Sequence, residues 1–404
     1  MPANLLLFFP LFENKGHTLL SDEEKRRRDR RIPRVALRFH NESPFFYLFK
    51  SGDEQALLNC CAVDHTVFRR LLEIFEPVFN AYTVDKYTCR IRKRIFTKAG
   101  VPKGRKRFVD GTYCLGLVLY WYRTRGSVAR ATALAFGLTA TPMYKWLKFG
   151  RRVLLLVLRI HPLAMISTPT KDELQSYTDA IGSKYPVLRR HRVWGAADGL
   201  KLRLQQSSDW AIQNRFYNGW TGSTYVNSLF VFAPDGRIRI CTLNAPGTFH
   251  DSAMADYGVY SKMEALYNQY KVKVVVDSAF RLADADYMIR SSQEDPTSIE
   301  GLVLNRAATS VRQLSKWGMR MIQGQFPRMK DSIVFEEAGE RKVILNLMVL
   351  LYSFQTSAIG MNEILNSFMS RTAGFGSFQG NVYSNDRVHQ INETANNVFA
   401  VATL

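Results

Sequence analysis

The stretch that decides the fold runs from Val272 to Phe280 and reads VKVVVDSAF. Four valines surround Lys273, and the run ends on Asp277. β-Branched side chains fit a pleated, buried surface, so a short apolar run that stops at a turn predicts a central strand over Val272–Asp277. Ser278-Ala279-Phe280 then turns away, which leaves the acid at the strand end. A carboxylate held there by a rigid element can face a cleft and ligate a metal ion. The same residue type also caps helices and opens turns.

Other acids stand at similar places. Val193–Gly199 (VWGAADG) predicts a strand ending in Asp198. Asn227–Ala233 and Arg237–Leu243 predict two strands joined through the turn Pro234-Asp235-Gly236. Asn244–Ala253 (NAPGTFHDSA) reads as a loop entering a helix, with Asp251 near the junction. Leu302-Val303-Leu304 predicts a last short strand. Ala308–Phe326 is amphipathic, with Leu314, Trp317, Met321 and Ile322 inward, and Val343–Phe354 predicts a buried helix against the sheet. Between residues 190 and 365 this order predicts an α/β, RNase H-like mixed sheet flanked by helices. Asp198, Asp251 and Asp277 are its candidate catalytic and metal-ligating residues. Acids gathered in such a fold hold divalent ions for phosphodiester cleavage, and hard carboxylate donors suit Mg2+ or Mn2+.

The charge points to the partner. The chain of 404 residues carries a formal charge of +20, which calls for a polyanion. No apolar run reaches the roughly 18 residues that predict a membrane span, so DNA is expected and a membrane is not. Residues 1–34 read as a basic arm around Lys25–Arg31, a nuclear localisation signal, a DNA-contacting arm or a solvated tail. Residues 35–170 read as an all-α domain. Phe68, Leu71, Leu72 and Phe75 mark one helix, which Pro77 is expected to end.

A basic stretch from Lys86 to Arg107 follows. Its Arg92, Lys93, Arg94, Arg105, Lys106 and Arg107 are candidate phosphate contacts; a solvated loop fits them too. An apolar helix over Val109–Tyr122, a segment over Ser127–Phe136, a turn at Gly137 and a helix over Ala140–Leu158 make a helix-turn-helix-like pattern, which also fits any helical hairpin. Lys145 and Lys148 on the last helix complete the candidate nucleic-acid-binding set. Residues 162–190 read as linker and short helix, and 366–404 as a flexible tail. The five cysteines form no CxxC pair, which predicts a reducing compartment and no zinc knuckle. The apolar start lacks an early positive charge and is broken by Pro10, so no signal peptide is expected.

Three blocks carry a resemblance. Ala196-Ala197-Asp198-Gly199, Pro246-Gly247-Thr248-Phe249-His250-Asp251-Ser252 and Val276-Asp277-Ser278-Ala279-Phe280 resemble the signature blocks of PIF/Harbinger-type transposases and the nucleases domesticated from them. Asn218-Gly219-Trp220 and the helix block in Arg341–Gly360 add to it. The resemblance implies a DDE-type endonuclease domain, a nuclear location with the cytoplasm as a second compartment, and a Myb-like partner for DNA targeting and nuclear entry. It leaves the oligomeric state open, a homo-oligomer included. It also implies a glutamate on the last helix, followed by apolar residues three, six and ten positions on. Met319, Ile322 and Phe326 fill those positions, which puts Lys316 where the glutamate belongs. Glu300, Asp295 and Glu294 are the nearest upstream acids, in an expected loop. His250 either positions a phosphate, acts as a general acid, or keeps the structure through a hydrogen bond. Two readings follow: a metal-dependent endonuclease or transposase with impaired cutting, or an inactive DNA-binding or partner-binding remnant.

Overall fold

The computed structural model describes residues 40–84, 91–98, 100–103, 107–126, 128–280, 285–290, 298–333, 338–359 and 362–369. The basic arm, Arg105, Lys106, Glu294, Asp295 and the chain after residue 369 lie outside them.

The helical part opens with α1 (Pro44–Ser51), α2 (Glu54–Cys61) and α3 (His65–Ala81). Ser43, Asp53 and Asp64 cap them by accepting from otherwise orphaned backbone N–H groups. Helix α3 does not stop at Pro77. The carbonyl that Pro77 leaves without a donor belongs to exposed Glu73 and can meet water, while buried Val78 and Phe79 hold the last turn against the core.

Strands β1 (Tyr82–Val84) and β2 (Ile91–Lys93) pair antiparallel. Helices α4 (Gly111–Arg123), α5 (Val128–Phe136) and α6 (Ala140–Ile160) follow. Pro142 falls in the first turn of α6, and Thr139 precedes it without a side-chain cap bond. Residues 162–190, read as linker and short helix, hold more helix than expected. There α7 (Lys171–Lys184) starts in a capping box between Thr170 and Glu173, and buries Leu174, Tyr177 and Ile181. It packs on the sheet and is followed by the single turn α8 (Pro186–Arg189).

The sheet comprises β3 (Val193–Arg203), β4 (Tyr217–Asn218) after the short helix α9 (Trp210–Phe216), β5 (Ser223–Phe232), β6 (Ile238–Pro246), β7 (Lys273–Val276) and β8 (Met288–Arg290). Strands β3, β5 and β6 form an antiparallel meander. Strand β7 lies parallel to β3 on its other side, and β8 parallel to β7. The order β6-β5-β3-β7-β8 is that of a mixed RNase H-like sheet. Helices α10 (Asp251–Ala255) and α11 (Val259–Tyr270) connect β6 to β7.

Helix α12 (Ile299–Gln325) covers β3 and β5, and it absorbs the strand expected at Leu302–Leu304. Ser298 caps α12 through the Gly301 N–H. Leu304, Ala307, Ala308 and Val311 are buried at helical rather than alternating spacing. Helix α13 (Ala338–Ile359) is long and apolar enough to cross a membrane, but most of it is buried between α6 and β6. Tyr122 Oη donates to Ile344 O and Tyr352 Oη to Gly236 O, which ties α13 to the helical part and to the hairpin turn. A last turn, α14 (Glu363–Phe368), follows. The buried side chains of helices and sheet form one contiguous core.

Candidate active site

Ala196 on β3 pairs with Val275 on β7. Counting two residues along each parallel strand brings Asp198 beside Asp277 on one face. Asp198 does not end its strand as expected. Strand β3 runs on to Arg203 because Leu200 and Leu202 keep pairing with β5, so Asp198 sits mid-strand. Asp277 directly follows β7, and its Oδ1 accepts from the Ala279 N–H at 2.8 Å. Asp251 is the first residue of α10.

The loop before Asp251 is pinned from two sides. Asn218 Nδ2 donates to Gly247 O at 2.9 Å, and buried Asn227 donates to Phe249 O at 2.9 Å. Gly247 has no room for a Cβ, which would stand 2.3 Å from Phe216 O. The three aspartates each offer an oxygen within 4.8 Å of the others.

The electrostatics record that crowding. Burial first, and then Asp277 and Asp198, push the Asp251 carboxyl up to about 6, against Lys201 and His250. Burial also raises Asp198. Its bond from the Gly199 N–H opposes the shift, Asp277 adds to it, and Arg312 and Lys316 oppose it. Like charges this close make a site that a divalent cation would relieve, and three carboxylates are the hard donors such a cation takes. The residues therefore fit a metal ion.

The fourth side of the site is basic. Lys316 stands exposed on α12 and acts on Asp198, as its helix register predicted. One turn earlier Arg312 Nη2 lies 3.6 Å from Asp277 Oδ2. Arg312 was missed in the sequence, although the i−4 spacing from Lys316 was enough to find it. Glu300 does not stand near the position of Lys316. It lies in the first turn of α12 and not in a loop, pairs with Arg190, and sits about 24 Å along the helix from Lys316. His250 is exposed at the N-cap of α10 and makes no side-chain capping bond.

The candidate DNA contacts divide. Arg92, Lys93 and Lys145 are exposed, and Arg94 and Lys148 are half-buried. Arg107 does not face solvent for phosphate. Its guanidinium turns inward, donates to Phe79 O and Tyr82 O, and lies over the Phe79 ring. None of these residues belongs to the acid cluster.

An RNase H-like sheet carrying three converging aspartates is the architecture of a DDE-type nuclease domain. Residues 197–351 match the family described as DDE superfamily endonuclease, which makes this segment a transposase-derived nuclease domain of the DDE type. The match spans all three aspartates and the helix that bears Lys316. Neither the curated proteins nor the solved structures contain a match to the chain.

Proposed function

We propose that the chain is a Harbinger-type, transposase-derived DNA endonuclease whose cutting is impaired by Lys316. The observation that carries the reading is the convergence of Asp198, Asp251 and Asp277 within 4.8 Å on a DDE-type domain. In this reading the three carboxylates hold a divalent cation, Mg2+ or Mn2+. When bound, that cation supplies Lewis-acid polarisation of the scissile phosphate. Asp198 and Asp277 orient the ligand oxygens from adjacent strands, and Asp251 closes the cluster from the start of α10. His250, exposed beside Asp251, is placed to donate to a phosphate oxygen.

Exposed Arg92, Lys93 and Lys145 give sequence-independent affinity for the DNA backbone. The helices α5 and α6 enter a groove as a helix-turn-helix, with exposed Thr141, Tyr144 and Lys145 at the start of α6 toward the bases. The chain works in the nucleus with a Myb-like partner, as its resemblance implies.

A second reading, a DNA-binding remnant without cutting, is supported by one observation. Arg312 pairs with Asp277 where a cation would bind, and Lys316 adds a second positive charge. A lysine ammonium offers no lone pair to a metal and repels it.

Plasmid nicking with Mg2+ or Mn2+ separates the readings. Wild type is expected to nick at least tenfold more slowly than Lys316→Glu, and Asp277→Asn in that background is expected to abolish the gain. Equal, robust nicking by wild type and Lys316→Glu would end the impairment reading. No nicking by either would favour the remnant.

A further inference from the structure

We propose that the segment between β3 and β5 is a stacking platform for unpaired bases of a DNA strand brought to the acid cluster. The proposal rests on the nuclease reading for its substrate class. Single exposed aromatics are ordinary on a protein surface, but this segment carries three within eleven residues. Trp220 is 95% exposed, Trp210 77% and Tyr217 43%. None of the three stacks on another ring among the described residues.

The segment is nevertheless fixed. Gln213 Nε2 donates to Thr224 Oγ1 at 2.9 Å, and Phe216 is buried beneath the Arg341 guanidinium. It is also fastened to the loop that delivers Asp251, through the bond from Asn218 to Gly247 O and one of 3.3 Å from Thr248 Oγ1 to Arg215 O. Gly247 precedes Asp251 by four residues, at most about 14 Å of chain.

The surrounding charge favours a polyanion. Arg215 is exposed within the segment, and Lys201 and Arg203 are exposed on the last residues of β3 that lead into it. Its acid, Asp209, is committed to capping α9, where it accepts from the Ala211 and Ile212 N–H groups. Exposed aromatic faces on an anchored backbone among cations suit nucleobases, because every base offers a π-face and stacking needs no particular sequence. In a duplex those faces are covered by neighbouring base pairs. The platform therefore recognises frayed, flipped or single-stranded nucleotides beside the cut.

The test is binding without chemistry, in chelator, with the full chain. Two labelled duplexes are compared by fluorescence anisotropy, one blunt and one with three unpaired nucleotides carrying 2-aminopurine. Wild type is expected to prefer the frayed duplex about tenfold and to quench the 2-aminopurine. Trp220→Ala is expected to lose most of the preference and the quenching while holding blunt-duplex affinity within twofold. Trp220→Phe is expected to retain both, and Trp210→Ala to lose part. Equal affinity of wild type for the two duplexes would overturn the proposal. So would a preference that survives Trp220→Ala, or a loss of blunt-duplex affinity equal to the loss for the frayed one, as expected of a protein-docking surface. Failure of the acids to support nicking would leave the base preference intact, so the two readings fail separately.

Discussion

A Cβ on Gly199 would stand 2.2 Å from Asp251 Oδ1, so the glycine after Asp198 leaves the third carboxylate its present place against the strand. That approach has a measurable cost in charge. Asp251 is held up to about 6 in the folded chain by burial, Asp277 and Asp198, against an ordinary aspartate in the unfolded chain. The folded state then binds more protons between about pH 4 and 6. In metal-free protein this contribution to stability is present below pH 4 and lost as pH rises through 6. Thermal unfolding in chelator should show the fall, and Asp251→Asn should flatten it. A Tm that climbs over that interval equally in both proteins would contradict the crowding. Asn218 works at the same scale. The sequence marked it only within the resemblance, whereas the fold shows it holding the loop of Asp251.

At the scale of an element, α12 decides what the site can hold. Gly318 lets the helix lie directly on the sheet, since a Cβ there would meet Phe232 Cε1 at 2.4 Å. That contact sets the height and rotation of Arg312 and Lys316 over the aspartates. Removing the Arg312 charge should free Asp277 for a cation. Arg312→Gln is expected to bind Mn2+ about fivefold to tenfold more tightly, because a partly exposed ion pair at this distance is worth about 1 kcal/mol. Electron paramagnetic resonance titration reads the free Mn2+ directly and needs no cutting activity. Unchanged or weaker binding would mean that Arg312 positions Asp277 and does not compete with the ion.

For the whole molecule, the formal charge of +20 should dominate encounters with DNA. Binding should weaken steeply with salt, and each phosphate contact removed should reduce the log–log slope by about 0.9. Arg92→Gln/Lys93→Gln/Lys145→Gln is expected to flatten the slope by about 2 to 3 while keeping the fold, because these side chains are exposed. An unchanged slope would move the DNA surface away from β2 and α6. Arg107 is left out of that set because it braces the end of α3.

By itself the sequence determined the alternation of strands, the buried helix α13 and the acids, while the register of Lys316 came from the resemblance. Each of these is a local pattern: valines around a pleat, apolar residues at helical spacing, and a turn at Pro234-Asp235-Gly236. It misjudged Asp198 as a strand end, Leu302–Leu304 as a strand and Pro77 as a stop, and it gave 162–190, read as linker and short helix, too little helix. In each case the outcome depends on what the segment packs against: β5 beside β3, the sheet under α12, the core under α3, and β3 beneath α7. Only the tertiary structure could bring Asp198, Asp251 and Asp277 together and turn Arg107 inward. These are distances between residues far apart in the chain, created when the strands pair and the helices close over them, and no local periodicity encodes them.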